Sequence, residues 1–151
     1  MISVKKIQEV RVDYGDVIRR SPVADVPKAL ELFRNRVHST EHVFVGYIKG
    51  DIACIYGLHP PTILSNRAHI WLITTDTVED NKFIFIRHSQ LVIEFALKAY
   101  TDIYGETHVK DKGAFRWIRW LGGVYAKGPI GMFVPFHINQ GSFEKRRWQT
   151  Q

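Results

Sequence analysis

Short stretches in which hydrophobic and polar residues alternate, or apolar residues predominate, are separated along this chain by turn-forming residues. Such stretches are typical of strands, and they occur at residues 2–7, 43–49, 52–57, 102–109, 124–126 and 132–138. Residues 68–75 form a nearly continuous apolar run, which predicts a central strand buried on both faces. Gly50 and Asp51 lie between two of these strands and predict a two-residue hairpin turn.

Elsewhere apolar residues recur every three or four positions, which is the spacing of a helix with one buried face. A weak pattern of this kind predicts a short helix within residues 8–20, which Pro22 ends. For the second helix we expect Asp25 as the N-cap and Pro27 in the first turn, with the end near residues 38–40. Its apolar stripe consists of Ala29, Leu30, Phe33 and Val37.

The longest predicted helix follows an acidic turn and runs to Tyr100. Asp76 together with Glu79, or Asn81 if the helix begins later, is expected to cap it. The stripe assigned to its buried face is Ile84, His88, Leu91, Val92, Phe95 and Ala99. A last helix over residues 114–121 is expected to bury Phe115, Ile118 and Leu121, and to end at Gly122-Gly123.

The resulting element order is β-α-α-β-β-β-α-β-α-β-β. This order predicts an α/β protein of the α+β kind, with about seven strands in a mixed, mostly antiparallel sheet and helices on both faces. One domain is expected over residues 1–139, followed by a basic tail over residues 140–151. The residues expected in the core around the sheet are Trp71, Ile73, Leu91, Phe95 and Leu121.

Composition narrows the class of protein. The chain has 151 residues, of which 45% are hydrophobic and 24% charged, as in ordinary globular domains. No apolar stretch approaches the ~18 residues that a membrane span requires. The first residues have no apolar signal core, so a cytosolic product without a membrane partner is expected. The lone Cys54 is expected to be a small buried hydrophobe.

The formal net charge is +6, and the basic residues are concentrated in the last third of the chain. They are Lys110, Lys112, Arg116, Arg119, Lys127, Lys145, Arg146 and Arg147, with Trp117, Trp120 and Trp148 among them. Such a mixture suits nucleic acid, a phosphate group or an acidic partner protein, and it also suits a solvated helix face. The tail residues Lys145, Arg146, Arg147 and Trp148 are predicted to bind a partner or phosphate surface rather than the body of the chain.

Few residues offer independent catalytic or metal chemistry. His38 and His42 are four positions apart but straddle a predicted helix end without a third ligand, so no metal site is expected. No P-loop and no nucleophile elbow is found. Glu41, near the start of the second strand, is a candidate base, and a solvated strand-end carboxylate is the alternative interpretation.

Two stretches resemble signatures of the acyl-CoA N-acyltransferase (GNAT) superfamily. Its enzymes bind the CoA pyrophosphate in a glycine-rich loop after the fourth strand, which implies Thr74, Thr75, Asp76 and Thr77 here. This loop has no glycine, and it carries acidic side chains at positions 76, 79 and 80 where the phosphates would lie. The resemblance therefore implies a cofactor loop whose chemistry has been lost.

The second GNAT signature, Asn-x-x-Ala-x-x-x-Tyr-x-x-Leu-Gly-Phe, is matched here at Ala114, Leu121 and Gly122. Asp111 stands at the asparagine position, and the resemblance implies that Asp111 and Ala114 contact the cofactor. Ile118 stands at the position of the tyrosine that, in many enzymes of the superfamily, protonates the departing thiolate. Isoleucine has no proton to donate, so the resemblance implies the fold without its proton donor.

A small GNAT-like family of short-tailed bacteriophages, often described as internal virion proteins, gives a tighter resemblance over residues 43–138. The shared elements are Trp71 to Asp76, Phe85 and Arg87, Arg116 to Gly122, and Gly131, Phe133 and Phe136. The resemblance implies a non-catalytic protein of the virion or its assembly, located in the host cytoplasm and the particle. Its partners would be other virion proteins, and no cofactor is expected.

Two alternatives remain open at this point. An active acetyltransferase would use acetyl-CoA as its cofactor. A nucleic-acid-binding module would use the basic residues and tryptophans of the last third of the chain.

Overall fold

The computed structural model describes residues 2–62 and 64–149; for residues 147–149 it describes the backbone but not the side chains. The strands are β1 (Ile2–Lys6), β2 (His42–Ile48), β3 (Asp51–His59), β4 (Arg67–Thr74), β5 (Asp102–His108), β6 (Val124–Tyr125) and β7 (Phe133–Asn139). The helices are α1 (Tyr14–Arg19), α2 (Ala29–Ser39), α3 (Lys82–Ala99), α4 (Lys112–Trp120) and α5 (Gln140–Gln149). Two 3-10 segments, Ile7–Glu9 and Asp76–Asn81, precede α1 and α3.

The seven strands form one sheet in the order β1-β2-β3-β4-β5-β7-β6. The β1–β2, β2–β3, β5–β7 and β6–β7 pairs are antiparallel, and β4–β5 is parallel. The predicted fold class, α+β with a mixed and mostly antiparallel sheet, is therefore confirmed. The central position of β4 is also confirmed, although within this strand only Ala68 and Trp71 are buried.

The chain divides into two compact units. One unit comprises Met1–His59 and Trp71–Phe85, and the other comprises Pro60–Ile70 and Ile86–Gln151. Strand β4 and helix α3 therefore contribute residues to both units. The domain boundaries drawn from the sequence remain a prediction.

The core of the first unit is built around the indole of Trp71. Its ring packs edge-on against Phe33 of α2, with the ring centroids 6.1 Å apart. The indole N–H donates to the hydroxyl oxygen of Thr40 at 2.9 Å, so the polar atom of this buried side chain is satisfied. Gly57 of β3 leaves the space that the indole fills, because a Cβ there would lie 2.4 Å from the indole nitrogen.

Two local predictions in this unit are corrected by the backbone. The hairpin turn is formed by Lys49 and Gly50, whose φ angles of 52° and 83° are both positive, because Ile48 pairs with Asp51. Helix α2 begins after Lys28, which has a φ of 60° and provides no side-chain cap. The expected cap by Asp25 is therefore wrong, because the chain bends before it enters the helix.

The second unit buries Ile103 of β5 and Ile138 of β7 completely, together with Leu121 after α4. Gly122 has a φ of 90° and directly follows Leu121, as expected for a glycine that ends a helix. A Cβ at Gly122 would lie 2.5 Å from the carbonyl oxygen of Ser142 in α5. The glycine therefore serves both the end of α4 and the close approach of α5.

Helix α3 buries a different face from the one assigned to it. Ser89, Ile93 and Ala96 are buried, whereas Leu91 is 65% exposed and Phe95 is 76% exposed. The expectation that Leu91 and Phe95 lie in the core is therefore wrong. Apolar residues occur on more than one side of this helix, so periodicity alone did not identify its buried side.

The segment predicted as a tail is helix α5 through residue 149. Phe143 is 1% exposed and anchors this helix in the second unit. The sequence of α5 has two bulky apolar residues, Phe143 and Trp148, which are five positions apart and give no helical periodicity, so the pattern did not predict a helix.

Within residues 2–62 and 64–149, no helix is long and apolar enough to cross a membrane. The same part of the chain contains no group of three His, Cys, Asp or Glu side chains placed to hold a metal ion.

Substitutions at Ile93 and Leu91 distinguish the two faces of α3. Ile93→Ala is expected to lower the free energy of unfolding by about 2–5 kcal/mol, because it leaves a cavity in the core. Leu91→Ala is expected to change it by less than about 0.5 kcal/mol, because Leu91 is mostly exposed. Urea denaturation of both variants measures the difference, and a larger loss for Leu91→Ala would contradict this assignment.

Phe143→Ala tests whether α5 belongs to the folded unit. It is expected to lower the free energy of unfolding by about 3–5 kcal/mol, since a large buried ring is removed. Lys145→Ala on the exposed side of the same helix is the matched control and is expected to have little effect. If both variants unfolded at the same temperature, the burial of Phe143 would contribute nothing to stability.

Candidate functional site

The loop between β4 and α3 begins with two backbone amides that are bonded within their own unit. The amide of Thr75 donates to the carbonyl oxygen of Ala53 at 2.9 Å, and that of Asp76 donates to the carbonyl oxygen of Arg20 at 3.0 Å. The hydroxyl of Thr75 donates to the carbonyl oxygen of Ile52 at 2.5 Å. These polar groups are satisfied by protein, so neither amide is available to a ligand in this conformation.

The guanidinium of Arg20 holds the same loop through its side chains. Its Nε donates to Asp76 Oδ1 at 2.8 Å, and Nη2 donates to the hydroxyl oxygen of Thr77 at 2.6 Å. Nη1 reaches Asp16 Oδ2 at 3.5 Å. We call this arrangement of Arg20, Asp16, Asp76 and Thr77 the Arg20 clasp.

The clasp changes the electrostatics expected of the loop. The hydrogen bond and the charge of Asp76 raise the pKa of Arg20, and partial burial opposes this rise. The carboxylate of Asp76 is thus paired with a cation 56 positions earlier in the sequence. Its expected role as a helix cap is wrong, because α3 begins after the 3-10 segment; the helix has the later of the two expected starts, directly after Asn81.

A pyrophosphate requires several free backbone amides and little negative charge. Here the amides of Thr75 and Asp76 are already engaged, and the carboxylates of Glu79 and Asp80 are both exposed. Residues 75–82 contain no glycine that would bring bare backbone close to a phosphate. These residues do not fit the pyrophosphate of CoA.

Thr74, the first of the four loop positions implied by the resemblance, is the half-buried last residue of β4. Its role as a cofactor contact remains a prediction.

The start of α4 carries the other positions that were expected to contact a cofactor. Asp111 is the N-cap, and its Oδ1 accepts a hydrogen bond from the amide of Ala114 at 3.2 Å. Burial raises the pKa of Asp111, while this bond and the charge of His108 oppose the rise. Ile118 is 6% exposed. Asp111 thus has a structural role as a cap, and Ile118 is a core residue with no proton to donate.

A phenol that the sequence analysis did not single out lies close to α4. The hydroxyl of Tyr125 is 2.7 Å from that of Thr107, and the guanidinium of Arg119 lies over the Tyr125 ring, 5.4 Å from its centroid. Burial raises the pKa of Tyr125 to about 12. The phenol therefore remains protonated at neutral pH and is hydrogen-bonded within its own unit.

A histidine–carboxylate dyad, which the sequence analysis also missed, joins β4 to β5. His69 Nε2 lies 2.6 Å from Glu106 Oε1, and the two side chains are 22% and 26% exposed. The imidazole meets the ring of Tyr104 edge-on, with ring centroids 5.4 Å apart. A carboxylate at this distance orients an imidazole, which is the arrangement that a general base requires.

The dyad belongs to a polar network along the parallel β4–β5 pair. Arg67 Nε donates to Asp102 Oδ2 at 3.0 Å, and its guanidinium carbon lies 4.5 Å from the centroid of the Tyr104 ring. The sequence signal for this network is that polar residues occupy every second position of β5. This alternation alone does not pair Glu106 with His69, because the contact also depends on the register of β4 against β5.

Basic side chains follow the exposed side of α4. Lys112, Arg116 and Arg119 are exposed and recur at positions i, i+4 and i+7, so they share one side of the helix. Trp117 and Trp120 are half-buried, and the ring of Trp120 faces the guanidinium of Arg146 at 5.4 Å.

Glu41 is exposed, and its carboxylate lies 3.7 Å from His42 Nε2, a side chain that is also exposed. Its role as a catalytic base remains a prediction.

The C-terminal basic residues differ from one another in their surroundings. Lys145 is exposed. Arg146 is 7% exposed, and its guanidinium carbon lies 4.1 Å from the centroid of the Phe143 ring. The expectation that Arg146 points away from the body of the chain is wrong, because its aliphatic stem and planar head pack on aromatic rings. The side chains of Arg147 and Trp148 lie outside the described residues.

Sequence comparisons give no relative: no family model matches the chain, and no curated protein sequence matches it significantly. The fold, in contrast, matches solved structures along nearly the whole chain. A Bacillus subtilis acetyltransferase in complex with CoA matches with a TM-score of 0.66 at 11% identity, covering 92% of this chain and 99% of that one.

Two further solved structures also match the fold along nearly the whole chain. A ribosomal-protein-alanine N-acetyltransferase of Escherichia coli matches with a TM-score of 0.65 at 13% identity, covering 92% of this chain and 94% of that one. An acetyltransferase of the GNAT family from Streptococcus pneumoniae matches with a TM-score of 0.58 at 11% identity, covering 92% and 99%. At such identities the likeness shows the fold alone.

Substituting Arg20 tests the clasp. Arg20→Met keeps the aliphatic stem and removes the bonds to Asp76 and Thr77, and is expected to lower the free energy of unfolding by about 1 kcal/mol. Arg19→Met removes an ion pair from a side chain that is 72% exposed, and is expected to cost less than about 0.5 kcal/mol. Chemical denaturation at low salt compares them, and equal losses would contradict a special role for Arg20.

Proposed function

We propose that this chain, which has the fold of GNAT acetyltransferases, is a non-catalytic protein that binds acetyl-CoA weakly or not at all. The observation that carries the proposal is the engagement of the Thr75 and Asp76 amides within the protein. A phosphate could use these donors only after the bonds to Ala53 and Arg20 had been broken. The cost of breaking them would reduce the affinity for a pyrophosphate.

Electrostatics adds to this cost. Asp76 is neutralised by Arg20, but Glu79 and Asp80 remain in the same short loop. Two like charges about 4 Å apart repel by roughly 4 kcal/mol at an effective dielectric constant of about 20, before screening by salt. Even one such contact with the cofactor would lower its affinity by about a thousandfold.

The proton chemistry of the acyl transfer is also missing from the expected position. Ile118, which stands where the resemblance places a phenol, is buried and has no ionisable group. Tyr125 is bonded to Thr107 and has a raised pKa. These observations support a protein that keeps the architecture of an acetyltransferase without efficient turnover.

The surface that would serve a binding role is the basic side of α4. Lys112, Arg116 and Arg119 form a stripe that suits an acidic protein surface, and Lys145 adds a further exposed cation. Nucleic acid is the alternative ligand. The stacking of bases would require exposed aromatic rings, whereas Trp120 is half-buried beside Arg146. The basic stripe without an exposed ring at Trp120 therefore favours an acidic protein partner over nucleic acid.

The resemblance to the phage-coded family supports a more specific context, in which the acidic partner is another virion protein. The chain would then act in the host cytoplasm during assembly and remain with the particle. Mass spectrometry of particles purified at high salt tests this context, and complete loss of the chain from such particles would contradict it.

An active acetyltransferase is the second candidate, and the His69–Glu106 dyad favours it. With Glu106 orienting the ring, His69 has the arrangement of a base that takes a proton from an amine. Acetyl-CoA would be the acyl donor, and this chain would have to bind it by contacts other than the loop amides.

Calorimetric titration of acetyl-CoA into the purified protein tests the proposal. We expect no saturable heat up to about 1 mM cofactor, which corresponds to less than about 4 kcal/mol of binding free energy. The double variant Glu79→Gln, Asp80→Asn is expected to raise the affinity by about tenfold or more, because it removes two negative charges from the loop. Glu9→Gln, Glu31→Gln removes the same charge from exposed positions elsewhere and is the matched control.

A micromolar dissociation constant for the unmodified protein would contradict the proposal. Acetyl transfer to an amine that is abolished by His69→Ala, with the fold unchanged by circular dichroism, would establish the second candidate instead.

A further inference from the structure

The outer side of α3 combines exposed apolar and charged residues. Leu91 is 65% exposed and Phe95 is 76% exposed. Arg87, Glu94 and Lys98 are also exposed. At 100° per residue, these five positions fall within about 100° of the helix circumference, so they form a single surface, the outer face of α3.

This surface is unusual for a helix that has a well-formed buried side. Two large apolar side chains one turn apart form a patch, and such patches on soluble proteins mark contact surfaces. Among the residues that the structure describes, no ion pair involves Arg87 or Glu94. Along the helix, Arg87 lies one turn before Leu91, Glu94 lies about one turn after it beside Phe95, and Lys98 follows one turn after Glu94.

The positions of these charges indicate which partner fits. Leu91 lies within about 1 Å along the axis of the midpoint between Arg87 and Glu94, each of which is about 5 Å from that midpoint. A second helix of the same sequence, related by a two-fold axis through that point, would run antiparallel to the first. It would place its Glu94 level with Arg87 and its Arg87 level with Glu94.

We propose that the outer face of α3 is the contact surface between two copies of this chain. Leu91 meets Leu91 of the second copy at the axis, and two Arg87–Glu94 pairs flank this apolar centre. Phe95 extends the apolar contact on both sides. The interface is isologous, as two-fold dimers require, because the same residues contribute from both copies. This inference is independent of the proposed function and concerns a different surface.

The expected strength follows from the size of the contact. One helix pair buries less area than the roughly 1,200–2,000 Å² of a standard interface, so the dimer is expected to be weak. A dissociation constant of about 1–100 µM is the corresponding range. Two ion pairs at the rim of an apolar centre also predict weaker association at high salt.

Sedimentation equilibrium over a range of protein concentrations tests the proposal with the intact chain. Phe95→Asp is expected to raise the dissociation constant of the dimer by at least about tenfold, because it places charge in the apolar contact. Leu32→Asp changes a side chain of α2 that is 51% exposed and is the matched control, with no effect on association expected. Because Phe95 is mostly exposed, the fold is expected to survive, and circular dichroism checks this.

Charge reversal provides the more specific test. Arg87→Glu alone places four carboxylates around the axis, and Glu94→Arg alone places four cations there, so each is expected to weaken association by about tenfold or more. The double variant carrying both changes restores opposite charges across the axis and is expected to return the dissociation constant to within about threefold of its original value.

A chain that remains monomeric up to about 1 mM would overturn the proposal, and the patch would then belong to a different partner. A dimer that Phe95→Asp leaves intact would also overturn it, because the contact would lie elsewhere. Failure of the double charge reversal to restore a dimer weakened by both single changes would exclude the antiparallel arrangement.

Discussion

The fit of the Trp71 indole against Gly57 is the constraint on which the first unit depends. The ring can pack against strand β3 only because position 57 has no side chain, since a Cβ there would approach the indole nitrogen to 2.4 Å. The indole then contacts Phe33 of α2 and donates to Thr40 at the end of that helix. One large side chain thus joins the sheet to a helix by apolar packing and a hydrogen bond.

Most of the fold was predictable because its signals are local. Strand periodicity, the glycine at the end of α4 and the apolar run of β4 each depend on a few neighbouring residues. The buried side of α3 was not predictable in this way, since Leu91 and Ile93 are equally apolar and differ only in what surrounds them. Helix α5 was missed because its two bulky apolar residues, Phe143 and Trp148, are five positions apart and make no helical stripe.

The candidate site shows the same limit at the level of charge. The sequence correctly indicated a loop with no glycine and several carboxylates, but it could not pair Asp76 with Arg20, which is 56 positions away. The contact between His69 and Glu106, which are 37 positions apart in sequence, likewise depends on the register of β4 against β5. Long-range pairing therefore converts an apparently repulsive loop into a closed, internally bonded one, and creates a dyad that no short motif contains.

The glycine at position 122 has a consequence for how motifs in this fold are interpreted. Its backbone conformation and the carbonyl oxygen of Ser142, which would lie 2.5 Å from a side chain there, both demand a glycine regardless of any ligand. Leu121 is fully buried, so packing alone also dictates an apolar residue at that position. Packing and backbone conformation thus account for the Leu-Gly pair without any catalytic role. They would require the pair in this fold whether or not the chain transfers acyl groups.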